Sequence, residues 1–146
     1  MYTLTNALYE ISDDRARLDL DVIHEFLTRS YWAEGIKKER IARAIEHSYP
    51  FGLYTGDRQI GFGRVLSDLS AIAYLMDVFV QKDYRGKGLG KWLVEAILAY
   101  PEFEPVRRWV LATEDAHSLY AKYGFTPYEP MDSMMMRLDP DKYKRE

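Results

Sequence analysis

Residues 74–98 read YLMDVFVQKDYRGKGLGKWLVEAIL, and three segments of different character follow one another in them. The run from Tyr74 to Val80 continues an apolar stretch begun at Ala71, is broken only by Asp77, and predicts a strand covered on both faces. From Leu89 onward, Leu89, Leu93, Ala96, Ile97 and Tyr100 fall at helical spacing until Pro101 stops them. Between strand and helix lie Gly86, Gly88 and Gly90, surrounded by Lys82, Arg85, Lys87 and Lys91, in a chain whose 20 Lys plus Arg are outnumbered by 23 Asp plus Glu. Flexibility and positive charge are concentrated at one turn. Backbone amides in such a turn converge on a point, and the helix start adds unpaired donors and a partial positive charge, so an anion fits there. Glycine leaves room for its oxygens and accepts positive φ.

Spacing separates the phosphate-binding alternatives. A Walker loop needs GxxxxGK followed by Ser or Thr, but Gly90-Lys91 precedes Trp92, and Arg85 stands where the first glycine belongs. A dinucleotide fingerprint starting at Gly86 or Gly88 puts its third glycine on Lys91 or Leu93. What remains is RxxGxG, Arg85 to Gly90, with a pyrophosphate as its best-fitting anion. Taken alone, the pattern describes an ordinary strand-to-helix turn with a solvated basic rim equally well.

Outward from this block the elements follow in order. ALYEIS (7–12) alternates as a first strand, and Asp19 to Trp32 carries Leu20, Ile23, Leu27 and Tyr31 at helical spacing behind an acidic start. Lys37 to Ser48 predicts a second helix, with Ile41, Ala44 and Ile45 on one side and Pro50 beyond its end. FGLYT and RQIGFGRVL form a strand pair around Gly56-Asp57, a tight-hairpin dipeptide. After the central block, VRRWVLAT predicts a buried strand, DAHSLYAKYG a short helix capped by Gly124, and FTPYE and SMMMRL two closing strands. The order β-α-α-β-β-β-α-β-α-β-β describes a mixed α/β sheet with helices on both faces. Residues 139–146, DPDKYKRE, are expected to fray.

Composition bounds the rest. A chain of 146 residues, 47% hydrophobic and 29% charged, predicts one domain over residues 1–146. The absence of cysteine excludes disulfides, thiolate metal sites and a cysteine nucleophile, and no metal is expected. MYTLTNALYEISDD lacks a secretory profile and AIAYLM is too short to span a bilayer, so a cytoplasmic protein without a membrane partner is expected. A net charge of -3 without a basic stripe disfavours nucleic acid.

With these residues in place, the sequence resembles the GNAT superfamily of acetyl-CoA-dependent N-acetyltransferases. Residues 74–98 look like its acyl-CoA-binding strand, RxxGxG turn and helix; WVLAT to HSLYAKYGF (109–125) looks like its later strand and tyrosine-bearing helix; and FGLYTGDRQIGFGRV is similar to its preceding hairpin. The resemblance implies a GNAT-like fold over nearly the whole chain and transfer of acetyl from acetyl-CoA to a primary amine, by direct attack in a ternary complex. It implies that the amides of Arg85, Gly86, Lys87, Gly88, Leu89, Gly90 and Lys91 hold the pyrophosphate. Backbone groups of Val78, Phe79 and Val80 then pair with the pantetheine arm, the amide near Val78 also donating to the thioester oxygen, where one such donor contributes about 2.7–4 kcal/mol elsewhere. Tyr120 matches the tyrosine that protonates the departing thiolate, and Tyr123 packs. Asp115 and His117 fall beside the cofactor groove, with Thr113 and Asp115 where the family often has an asparagine.

The sequence also departs from the family's pattern. An amine resembling lysine must lose a proton held with a pKa near 10.4, yet the places where many members put an acid or histidine carry Tyr74 and Met76. Asp77 and Glu34 are the candidates for a base or water-positioning group; His24 and His47 are weaker ones. Tyr31, Trp32 and Glu34 are the expected acceptor contacts, suited to a cationic amine with an apolar body in a small molecule or peptide. The alternative is a non-catalytic acyl-CoA sensor or interaction module of the same fold. An exposed SMMMRL edge would permit a homodimer.

Overall fold

The computed structural model describes residues 1–129 and 131–146. It opens on a hairpin: Thr3–Asn6 (β1) pairs antiparallel with Tyr9–Ser12 (β2). The strand expected over 7–12 keeps only Tyr9–Ser12 and is preceded by an unexpected one, Thr3–Asn6, because the turn between them is made by Ala7 at φ 53° and the exposed Leu8 rather than by glycine or asparagine. Then follow the helices Leu20–Thr28 (α1) and Lys38–Glu46 (α2) and the strands Tyr49–Thr55 (β3), Arg58–Ser67 (β4) and Ile72–Val80 (β5). The helix Leu89–Leu98 (α3), the strand Arg108–Val110 (β6) and the helix His117–Ala121 (α4) complete the main elements. All six strands form one sheet in chain order, antiparallel up to β5 and parallel between β5 and β6.

Local chemistry sets the boundaries. The Asp19 carboxylate accepts from the amides of Asp21 and Val22 and starts α1, a cap that contributes about 1 kcal/mol. Arg15 donates to the carbonyls of Ile45 and Ser48, fixing the end of α2 against the start of β3. At the β4–β5 turn, Asp68 accepts from the amides of Ser70, Ala71 and Ile72 at 3.0, 2.8 and 3.1 Å. These donors, that of Ile72 foremost, hold its carboxyl below the ordinary aspartate value. A group whose pKa is lowered by folding adds stability above its unfolded value, near 3.9, and loses it as the pH falls through the folded value. Below about pH 4, the difference in melting temperature between the native chain and Asp68→Asn is therefore expected to shrink, as thermal melts at a series of pH values would show.

The sheet separates two apolar clusters. Leu93 and Ile97 of α3 pack with Ile11, Phe51, Leu53 and Val65 on one face, and Ile23, Leu27, Ile41 and Ile45 of α1 and α2 cover Phe62 and Phe79 on the other. Helices on both faces and a mixed sheet agree with the expected fold class.

Three details differ from the sequence reading. Expected over 106–113, β6 keeps only three residues. Neither 125–129 nor 133–138 joins the sheet among the described residues: Pro127 removes a ladder donor, and SMMMRL lacks the alternation that would fix a register. Residues 139–146, expected to fray, include a short helical turn over Tyr143–Arg145, and Tyr143 packs against the α1–α2 cluster with the Arg40 guanidinium 5.3 Å from its ring centre. No helix among the described residues is long and apolar enough to cross a membrane.

Candidate active site

At the glycine turn, Gly86 and Gly88 have φ of 80° and 76°, and nothing stands within 4 Å of a Cβ built on either. Both glycines are needed for their backbone conformation. Gly88 is also the N-cap of α3, whose first internal bond runs from the Trp92 amide to the Gly88 carbonyl, so the amides of Leu89, Gly90 and Lys91 have no intrahelical partner. Lys87 and Lys91 are exposed and make no ion pair among the described residues. The Arg85 side chain turns back instead, its Nε donating to the Val80 carbonyl at 2.9 Å.

That contact marks a gap in the sheet. β6 pairs with β5 only at Ile72, Ala73 and Tyr74, so from Leu75 to Val80 one edge of β5 has no neighbouring strand among the described residues, whereas its other edge pairs with β4 up to Val80. The Gln81 amide bonds the Ile60 carbonyl, and by antiparallel alternation the main-chain groups of Phe79 face β4 while those of Val78 and Val80 face the gap. A strand edge open to an extended partner thus ends at the glycine turn, whose unpartnered amides are suited to an anion.

Beside the gap, β5 carries a bulge. Phe62 pairs with Phe79 and Arg64 with Met76, leaving Gly63 opposite both Asp77 and Val78. A Cβ at Gly63 would lie 2.9 Å from Ile97 Cδ1 and 3.4 Å from Val78 Cγ2, so glycine permits the close packing there. Asp77 takes φ 56°, a left-handed conformation that a short polar side chain tolerates best after glycine. The bulge exchanges the faces of β5. Ala73 and Leu75 face α3 before it, Val78 and Val80 after it, and Asp77 is released toward α1 and α2. Its carboxylate accepts from Arg64 Nε at 2.6 Å and from Trp32 Nε1 at 2.9 Å, with side-chain exposures of 13% for Arg64 and 11% for Asp77.

A pocket of about 350 Å³ opens on this group, between β4, β5, α1 and α2. Trp32 lines it; Glu34 does not, being exposed, as is Gly35 after it, while Ala33 before it is buried. Tyr31 packs edge-on against Trp32, with ring centres 5.0 Å apart, and its hydroxyl accepts from the Glu114 amide at 3.3 Å, bridging to the segment before α4. On α4, Tyr120 is half-buried; burial first, then Tyr31 and Asp115, raises its phenol above the ordinary value. Tyr123 is a brace, its hydroxyl donating to Glu95 of α3 at 2.8 Å. Thr113 Oγ1 accepts from the Ala116 amide at the start of α4, while Asp115 and His117 are exposed.

The family description "Acetyltransferase (GNAT) domain" matches residues 46–127, which hold β3 to β6, the glycine turn and α4. The chain belongs to the GNAT acetyltransferase family. A GNAT-family structure from Xanthomonas campestris pv. campestris, assigned as an acetyltransferase, is 44% identical, covers 92% of this chain and 96% of its own, and superposes with a TM-score of 0.89. A protein of Gibberella zeae, likewise assigned, is 29% identical over 155 residues, 89% of this chain and 86% of that one. A Clostridium acetobutylicum acetyltransferase structure solved with acetyl-CoA is 14% identical with a TM-score of 0.63, covering 90% of this chain and 94% of that one, and shares the fold.

Within this GNAT fold, sequence reasoning missed the pocket arginines Arg40, Arg43 and Arg64, and offered His47 only as a weaker base. Arg43 lies three residues after Arg40 and His47 four residues after Arg43, a helical stripe beside the buried Ile41 and Ile45 that periodicity alone could have shown. Arg64 had no such signal, because only the bulge brings Asp77 to its side of the sheet. His24 is engaged elsewhere, its Nε2 lying 3.1 Å from the Ile36 carbonyl.

Proposed function

We propose that this GNAT protein transfers the acetyl group of acetyl-CoA to a primary amine by direct attack in a ternary complex. The carrying observation is the unpaired edge of β5, which joins the glycine turn at one end to the bulge and pocket at the other. Acetyl-CoA supplies the thioester carbon that the amine attacks. The amides of residues 86–91 take the pyrophosphate, with Lys87 and Lys91 near its charge; Arg85, expected to join them, has its amide bonded to the Lys82 carbonyl at 3.3 Å. Val78 offers its main-chain groups and Val80 its amide to the pantetheine arm, the Val80 carbonyl being held by Arg85, and the Val78 amide is the candidate donor to the thioester oxygen. Phe79 is assigned to the sheet, its groups being turned to β4.

Tyr120 is the group for the departing thiolate. Its raised pKa keeps it protonated at neutral pH and makes full transfer more uphill, so it serves first as a hydrogen-bond donor to the developing charge. Asp77 is a positioning residue rather than the base, since its oxygens already hold Arg64 and Trp32. Glu34 is set aside because it lies outside the pocket. The proton of the attacking ammonium leaves through water, with His47 the side chain on the pocket wall that can receive it.

Tyr120→Phe tests the reading. With thiol release from acetyl-CoA followed against a panel of amines, kcat is expected to fall by about 10²-fold or more, the usual scale for a positioned acid. Acetyl-CoA affinity should hardly change, and Tyr123→Phe should retain kcat. Unchanged turnover in Tyr120→Phe would remove it from the mechanism, and saturable acetyl-CoA binding without thiol release for any amine would favour the sensor.

A further inference from the structure

The wall of the acceptor pocket formed by α2 is basic. Arg40, Arg43 and His47 form a stripe along the helix, and Arg64 adds a third guanidinium from β4. Two of the three arginines have carboxylates already: Asp77 holds Arg64, and Glu146 engages Arg40 through both Nε, at 2.7 Å, and Nη2. Arg43 has none among the described residues. Glu39 and Glu46, its neighbours four residues before and three after on α2, make no ion pair with it. Elsewhere the lining is apolar, with Leu27, Ile36, Ile41 and Phe62.

An unpaired guanidinium lining a pocket that is otherwise apolar or neutralised selects for an anion, because its planar donor set matches a carboxylate or phosphate; Arg43 is exposed, so solvent reaches it until an acceptor sits there. Resting on the acetyltransfer reading, we infer that the acceptor is an amine carrying a carboxylate or phosphate, with Arg43 as the residue that selects it. This reading replaces the cationic acceptor suggested by Tyr31, Trp32 and Glu34, whose only carboxylate, Glu34, is exposed and outside the pocket lining.

The test uses acetylated products, so that binding is read without turnover. The protein, alone and with saturating CoA, is titrated calorimetrically with N-butylacetamide, N-acetyl-4-aminobutyrate and N-acetyl-O-phosphoethanolamine, and the series is repeated on Arg43→Gln. At least one anionic amide is expected to bind about tenfold or more tightly than the neutral one, with that advantage largely lost in Arg43→Gln while CoA affinity is retained. The two anionic probes separate a carboxylate acceptor from a phosphate one. Equal binding of neutral and anionic amides, no binding of any, or a preference that survives Arg43→Gln overturns the inference. Thiol release from acetyl-CoA, assayed separately with 4-aminobutyrate, O-phosphoethanolamine, butylamine and putrescine, reports on acetyltransfer itself, so the two can fail independently.

Discussion

Asp77→Ala is expected to lower the stability of the fold by about 3–5 kcal/mol, the usual cost of removing one partner from a buried ion pair. The pair is nearly closed off from solvent, so loss of the carboxylate strands the Arg64 guanidinium, while the exposed Trp32 indole, which it also accepts from, can turn to water. The backbone adds to the effect. At φ 56°, alanine bears a left-handed strain of about 1–2 kcal/mol that aspartate partly relieves and glycine avoids. Asp77→Gly should therefore be the milder variant by about 1 kcal/mol, and Arg64→Met on the Asp77→Ala background should recover much of the loss. Urea unfolding of the four proteins separates the contributions. If Asp77→Ala and Asp77→Gly both unfold within about 0.5 kcal/mol of the native chain, the ion pair does not support the bulge.

Gly88→Glu carries the largest expected effect on binding. A side chain fits sterically, since nothing lies within 4 Å of the built Cβ, so the damage comes from φ 76° and from charge. One carboxylate about 4 Å from a phosphate at an effective dielectric near 20 is repelled by about 4 kcal/mol, or nearly a thousandfold in affinity. Acetyl-CoA affinity should drop by at least about a hundredfold while the protein still melts cooperatively. Gly88→Ala carries the backbone strain without the charge and should lose far less affinity. Equal losses in the two variants would assign the effect to the shape of the turn and not to an anion held there.

Much of this architecture is written in local pattern. The β5-turn-α3 block is legible because burial, helical spacing and glycine each change at its boundaries, and the Gly56-Asp57 hairpin because its dipeptide supplies the required φ. Other features depend on contacts distant in sequence. The first hairpin is obscured because Ala7 adopts a positive φ without a turn residue to announce it. β6 looks like an eight-residue strand by composition, and its early departure from β5 is a property of the sheet. The same holds for the site. Gly86, Gly88 and Tyr120 could be named from motif alone, but whether Asp77 faces the pocket is decided by a bulge that reverses the parity of the strand. Glu34 and Trp32 stand two residues apart in one loop, and only packing shows that Trp32 meets Asp77 while Glu34 meets solvent.

The central claim is that the open edge of β5 and the turn after it form a binding site for acetyl-CoA. A calorimetric titration of the purified protein with acetyl-CoA, with ATP–Mg²⁺ and NADH as controls, tests it most directly. Saturable binding of acetyl-CoA alone is the expected result; a well-folded sample that binds none, or that takes ATP or NADH in its place, would contradict the account.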